Sequence, residues 1–204
     1  MRSVAAALVL LVASHALAEG YTVVPERFVY CTTCHGVELK GNRSVDAPRL
    51  NGMPAWYVQG QLEAFKRGWR GTHPEDTIGM DMQPQARVLT EDGIRDAAAF
   101  VAAVPERAGT TERTVDGDPS RGAKLYETCA ACHGPAGAGS KPLNAPALAS
   151  QSDWYLVRQL RNYQAGARGF AVADTAGRQM RAAAAVLESD QDTRDVVAYI
   201  NSLD

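Results

Sequence analysis

Cys-x-x-Cys-His occurs twice in this chain, at Cys31-Thr32-Thr33-Cys34-His35 and at Cys129-Ala130-Ala131-Cys132-His133. The chain has four cysteines, and all four lie inside these pentapeptides, so none is left for a structural disulfide. Two residues between the thiols let one helical turn present both to the edge of a porphyrin, and the next residue sets an imidazole beneath the iron. The pattern predicts two covalently bound haem c groups, attached through Cys31, Cys34, Cys129 and Cys132, with His35 and His133 as metal ligands. A four-thiolate zinc site would have to bring the pairs together across 98 residues and would leave both histidines without a role. A redox dithiol leaves the histidines equally idle.

The motifs are the best-marked part of a longer repeat. At a constant offset of 98, residues 31–89 match 129–187 at 22 of 59 positions without a gap. Trp56-Tyr57 recurs as Trp154-Tyr155, Gln61-Leu62 as Gln159-Leu160, Arg70-Gly71 as Arg168-Gly169, and Asp76-Thr77 as Asp174-Thr175. This is a tandem duplication. Polar residues from 105 to 118 separate the copies without helical periodicity, so the expected organisation is domain one at 19–104, a linker at 105–118 and domain two at 119–204.

Each copy shows about three main amphipathic stretches and almost no strand-like alternation, so the expected fold is all-α. The first stretch leads into the haem motif, at Pro25 to Tyr30 and at Pro119 to Thr128. The second runs over Trp56–Arg67 and Trp154–Ala165, and the third over Glu91–Val104 and Ser189–Leu203. Asp118-Pro119 is a strong helix start, with an Asp cap before a Pro at the first helical position. Domains this small bury only about 60–65% of their unfolded surface, so helices packed round a covalent haem gain core they would otherwise lack.

The N-terminus predicts export. Arg2, the apolar run Val4–Val12 and Ala16-Leu17-Ala18 form a signal peptide over residues 1–18, cleaved after Ala18. An uncleaved anchor is the alternative, but the run is short of the roughly 20 residues of a membrane span. The expected destination is the periplasm of a Gram-negative cell. Without Arg2 the net charge goes from -2 to -3. Residues 19–116 carry 11 basic and 14 acidic groups, and residues 117–204 nine of each. That balance excludes a nucleic-acid-binding face.

A second axial ligand decides whether each iron is open or closed. The second copy contains one methionine, Met180, and no histidine beyond His133; Met82 stands at the same offset in the first copy. Met82 and Met180 are therefore the expected distal ligands, in the Gly79…Met82 and Gly177…Met180 loops. Met80 and His73 remain alternatives to Met82; Met53 aligns with Gln151. Histidine–methionine ligation raises the potential and fills the coordination sphere, which favours one-electron exchange over catalysis. Pro48 and Pro146, each 13 residues after its histidine, could offer a carbonyl to the imidazole N–H, or could be ordinary turn prolines. Trp56, Tyr57, Trp154 and Tyr155 could bond buried propionates, with Arg70 and Arg168 balancing charge, or could simply pack. Lys66, Arg67 and Arg70, and the group Arg158, Arg161, Arg178 and Arg181, read as docking patches or as solvated helix faces.

These residues together resemble the dihaem class I cytochromes of the cytochrome c4 type. The carriers of the likeness are the two Cys-x-x-Cys-His-Gly motifs, Ala47-Pro48 and Ala145-Pro146, and the paired Trp-Tyr, Arg-Gly and Gly…Met segments. The resemblance implies two tandem class I cytochrome c domains facing each other, with haem propionates near the interface. It implies a monomeric periplasmic electron carrier rather than an enzyme, at most loosely associated with a membrane. Its expected partners are redox proteins, a membrane oxidase or reductase complex or a periplasmic dehydrogenase. An electron-accepting subunit of a dehydrogenase complex and a small dihaem oxidoreductase such as a peroxidase are the competing readings. One departure stands out: Gly122 and Tyr126 precede the second motif, where the first copy has Val24 and Phe28.

Overall fold

A computed structural model of the chain describes residues 23–105, 113–149 and 151–203. The expected signal peptide, 1–18, and residues 106–112 of the expected linker lie outside the described residues. Eight α-helices build the described part, four in each half. The first half has α1 (Val29–His35), α2 (Ala55–Lys66), α3 (Thr77–Arg87) and α4 (Glu91–Ala103). The second has α5 (Pro119–His133), α6 (Asp153–Gln164), α7 (Thr175–Ala184) and α8 (Asp190–Ile200). Among the described residues the only β pairing is two isolated bridges, Asn42 with Ala47 and Ser140 with Ala145, which pinch equivalent loops.

The helices start where their caps dictate. The Asp118 side chain accepts from the N–H groups of Ser120 and Arg121, with Pro119 at the first position where its missing N–H costs nothing. Thr90 accepts from Gly93 N at 3.0 Å to open α4. Ser189 and Asp192 satisfy each other's backbone in a capping box at α8.

The methionine segments differ from the sequence expectation. They are helices, α3 and α7, and not loops. Asp76 and Asp174 cap them by accepting from Gly79 N at 3.2 Å and Gly177 N at 2.8 Å. Pro84 inside α3 hides that helix from a periodicity reading, because proline normally breaks a helix interior.

Each half has its own apolar core. Phe28, Leu39, Leu62, Phe65, Ile94 and Val101 are central to the first. Tyr126, Leu156, Val157, Val196, Val197 and Ile200 are central to the second. In the second half α5 crosses α8 so closely that a Cβ on Gly122 would sit 1.9 Å from Asp195 O. In the first half α1 has seven residues, preceded by a 3-10 turn at Glu26–Phe28, and Phe28 stacks on Phe100 with ring centroids 5.1 Å apart. Residues 113–118 are tied to the second half. Thr114 and Val115 donate to the Asp153 carboxylate, and Asp118 N donates to Asp195 Oδ1 at 2.8 Å.

Candidate haem sites

Both motifs end a helix, and the glycine after each histidine turns the chain out. Gly36 and Gly134 do so at φ 79° and 77°, which an L side chain resists. Each loop is then pinned back beside its helix. Gly41 N donates to His35 O at 3.0 Å and Gly139 N to His133 O at 2.8 Å. Leu50 N donates to Leu39 O at 2.8 Å, and Leu148 N to Gly137 O at 2.7 Å. This folding delivers the proline carbonyls to the imidazoles. His35 Nδ1 lies 2.8 Å from Pro48 O, and His133 Nδ1 lies 2.8 Å from Pro146 O. A carbonyl only accepts, so Nδ1 carries the proton and Nε2 keeps its lone pair for a metal. Burial pushes both imidazoles below their ordinary pKa, against the proline carbonyls, which pull the other way. The neutral form needed for ligation is favoured. Cys31 and Cys129 are half-buried, while Cys34 and Cys132 are exposed.

The methionines separate by burial. Met82 is half-buried and packs against the first core, whereas Met80 is 48% exposed. Met53 is buried in that core. His73 lies between the halves, its ring 6.0 Å from that of Phe170. The starts of α3 and α7 are held by backbone contact: a Cβ on Gly71 would lie 2.1 Å from Gly79 O, and one on Gly169 2.3 Å from Gly177 O. Only glycine fits there, which accounts for the repeated Arg-Gly pair.

In the second half, Cys129, Cys132, His133, Pro146 and Met180 line a single cavity of about 390 Å³. Cofactor pockets span about 300–1,000 Å³. Trp56, Tyr57 and Arg70 of the first half close one side of it. Trp56–Tyr57 and Trp154–Tyr155 each pack edge to face, at centroid distances of 5.8 and 6.0 Å. Burial, reinforced by the neighbouring Tyr155, pushes the Tyr57 phenol up to about 12, so it stays a hydrogen-bond donor.

Arg70 and Arg168 meet at the centre of the interface. Each is only 5% exposed. Arg70 donates to Gln61 Oε1 at 2.6 Å and to Gln159 Oε1 at 3.3 Å; Arg168 donates to Gln159 Oε1 at 2.7 Å and to Gln61 Oε1 at 3.0 Å. This four-membered ring obeys the repeat offset and gives the interface a pseudo-two-fold character. Among the described residues neither guanidinium forms an ion pair, Asp76 acting on Arg168 only through space, and Arg70 Nε is buried without a partner. Buried charge normally demands a counter-charge. Two such cations beside the cavity fit a cofactor that brings its own carboxylates.

The sequence model of the cytochrome c family matches residues 17–105 and, again, 119–204. The chain belongs to the cytochrome c family. It is 33% identical over 178 residues to the thiosulfate dehydrogenase electron acceptor of Stutzerimonas stutzeri (strain A1501), covering 83% of this chain and 76% of that one. It is 32% identical over 184 residues to cytochrome c4 of Thiocapsa roseopersicina, covering 85% of this chain and 86% of that one. Among solved structures, thiosulfate dehydrogenase of Marichromatium purpuratum superposes with a TM-score of 0.68 at 29% identity. That match covers 84% of this chain and 36% of the longer protein. This chain is thus a tandem cytochrome c of the cytochrome c4 type, carrying two covalent haem c groups and passing single electrons between redox proteins.

The basic groups noted in the sequence do not form two patches. Arg70 is internal, Lys66 bonds the Leu89 carbonyl, and Arg67 lies over the Trp69 ring at 4.9 Å. Arg158 pairs with Asp46 of the other half at 2.8 Å, and Arg161 pairs with Asp190. Arg178 and Arg181 stay exposed on α7. Sequence alone assigned Gln61, Gln159, Asp76 and Asp174 no role beyond their place in the repeat. Their identity in both copies was the available signal.

Proposed function

We propose that His35 and Met82 ligate the iron of haem one, that His133 and Met180 ligate that of haem two, and that Cys31, Cys34, Cys129 and Cys132 form the thioether links. The observation that carries this reading is the single cavity lined by Cys129, Cys132, His133 and Met180. The repeat transfers it to the first half, where Met82, rather than the exposed Met80, faces the core. Bound haem supplies a one-electron ferric–ferrous couple, and a thioether opposite imidazole favours the ferrous state.

The protein's own residues do the rest. Pro48 and Pro146 fix the imidazoles, α3 and α7 hold the thioethers, and Arg70 and Arg168 offset anionic charge in a water-poor interface. A closed coordination sphere leaves no place for a substrate, so the reading is a carrier and not an enzyme. Export through the 1–18 leader makes it a periplasmic monomer of two domains, 19–104 and 119–204, serving a terminal oxidase or another respiratory complex. Among the described residues no helix is long and apolar enough to cross a membrane.

Optical spectra of the oxidised and reduced protein, with and without carbon monoxide, test this. Two low-spin haems with the methionine–iron charge-transfer band and no carbon monoxide binding are expected. Met180→Ala should open one haem to carbon monoxide while leaving it covalently attached. A wild-type haem that is high-spin or binds the gas readily would reverse the reading and move an enzyme role forward.

The likeness to the Stutzerimonas stutzeri electron acceptor favours a second reading, in which the donor is a thiosulfate-oxidising dehydrogenase. Mixing the oxidised protein with such an enzyme and thiosulfate decides it. Rapid reduction of both haems supports that donor, and no reduction beyond the thiosulfate-only control excludes it.

A further inference from the structure

The contact between the halves is symmetric at its centre and one-sided beyond it. Besides the Arg158–Asp46 pair and the Arg43–Thr114 bond, two buried hydrogen bonds break the symmetry, and both run from side chains at or on α6 to the ligand-bearing segments of the first half. At the approach to α6, Gln151 Nε2 donates to Arg49 O at 3.1 Å. Arg49 directly follows Pro48, whose carbonyl receives His35 Nδ1. Within α6, Asn162 Nδ2 donates to Asp76 Oδ1 at 2.9 Å. Asp76 caps α3, the helix that carries Met82, and its other oxygen accepts from Gly71 N at 3.0 Å.

Gln151 and Asn162 are 5% and 8% exposed, so both bonds are shielded from competing water. The Gln151 amide is fixed at both ends, because its Oε1 also accepts from Ser152 N at 2.9 Å. At the repeat offset the first half has Met53 in place of Gln151 and Ala64 in place of Asn162. Neither side chain bears an N–H. Through these positions α2 cannot return either bond to Ala147 or to Asp174, the equivalents of Arg49 and Asp76. The second domain thus grips both sides of haem site one, and the equivalent positions of the first domain return no such grip to haem site two.

We infer that Gln151 and Asn162 are positioning residues through which the second domain sets the potential and ligand stability of the first haem, without reciprocal control. The inference rests on the His35–Met82 ligand set proposed above. Its physical basis is different on the two sides. A firm Nδ1–H···O=C bond makes the imidazole more basic, which stabilises ferric iron. Gln151 holds the peptide segment that supplies that carbonyl, so its loss weakens the bond and raises the potential. Asn162 steadies the buried Asp76 carboxylate, so its loss slackens the first turn of α3 and makes Met82 easier to displace.

The test uses the full dihaem protein, with each haem's signals assigned by Met82→Ala and Met180→Ala, which open one haem each to carbon monoxide. Gln151→Met keeps the side-chain volume and is the residue the first domain itself uses. It should raise the potential of haem one by a roughly threefold to tenfold change in the ferric–ferrous equilibrium, tenfold being about 59 mV for one electron. Asn162→Ala should tighten imidazole binding at ferric haem one about tenfold, the lower end of the effect of losing an outer-shell partner. Haem two should keep its potential and its imidazole affinity in Asn162→Ala, whose side chain does not line the second cavity, which also certifies that this variant folds. Gln151 does line that cavity, so in Gln151→Met the shift at haem one should exceed any shift at haem two. Equal shifts at both haems, or no shift at haem one in either variant, would overturn the inference. Failure of Met82→Ala to open haem one would instead overturn the ligand set on which it stands.

Discussion

In the second domain the haem motif ends a 15-residue helix, α5, which crosses α8 at Gly122 and is locked there by Arg121 to Asp195 at 2.6 Å. In the first domain the same motif ends a seven-residue helix, and the Phe28–Phe100 stack with an exposed Arg27–Asp96 pair joins that end to α4. The pocket geometry is nevertheless alike, down to equal 2.8 Å histidine–carbonyl bonds. The loop pinned behind each histidine sets that geometry, and helix length does not. The first domain takes up the difference elsewhere, through the asymmetric bonds it receives from α6.

The largest effect should come from giving the second domain the first domain's residue at the helix crossing. Gly122→Val puts a side chain where a Cβ already meets Asp195 O at 1.9 Å, so α5 must leave α8. A loss of at least about 3 kcal/mol in denaturant unfolding of the haem-loaded protein is expected, the upper range for overpacking. The reverse change, Val24→Gly, removes only a partly buried side chain at the edge of the first core and should cost about 1 kcal/mol. Comparable losses from the two would mean that the domains are built alike after all.

Next comes the acidic residue that anchors each last helix. Asp195 is 1% exposed and accepts from Asp118 N, Gln191 and Arg121, whereas its counterpart Asp96 is exposed and lies 3.5 Å from Arg27. Asp195→Asn should cost about 1.5–3 kcal/mol near neutral pH, the worth of hydrogen bonds to a charged group. Asp96→Asn should cost less than about 1 kcal/mol, as exposed pairs do. Burial works to raise the Asp195 carboxyl, but the donors from Asp118, Gln191 and Arg121 outweigh it and hold the pKa below its ordinary value. A depressed carboxylate stabilises the fold above its unfolded pKa of about 3.9 and loses that contribution as pH falls through the folded value. The gap between wild type and Asp195→Asn should therefore be full at pH 7 and close in acid. A gap that widened on acidification would contradict this arrangement.

The smallest effect is a reversal of sign at Leu39. This residue is fully buried yet holds φ 54°, where the second domain has Gly137 at φ 64°. The left-handed backbone costs about 1–2 kcal/mol, and burying the leucine returns about 1.5–3, so packing narrowly wins. Once the side chain is removed, only the backbone cost remains. Leu39→Gly should thus be more stable than Leu39→Ala by about 1 kcal/mol, the opposite of the usual order at a regular backbone position. Thermal unfolding of the two variants checks it, and the usual order would mean that this turn carries no left-handed strain.

Much of the site could be read from residue spacing alone. The motif pairs, the proline carbonyls and the caps at Asp118, Thr90 and Ser189 are short-range chemistry, decided within a few residues of chain. The duplication singled out Met82 and Met180 as the proposed distal ligands by alignment, since the second copy holds a single methionine. Helices α3 and α7 were not legible, because Gly79, Pro84 and Gly177 mask a short helix whose start depends on one aspartate cap. The basic patches dissolved because Arg70 and Arg158 turn inward to the other domain, a choice no local pattern records.

The sequence by itself determined the cofactor, its number and its attachment points, because covalent and coordinate bonds demand particular residue types at fixed intervals. Tertiary structure alone decided how the two copies treat each other. Gln151 and Asn162 differ from their equivalents, Met53 and Ala64, so the repeat gave no hint of them. Their role exists only where α6 meets the first domain, since a side-chain amide acts on whatever the fold brings within about 3 Å of it.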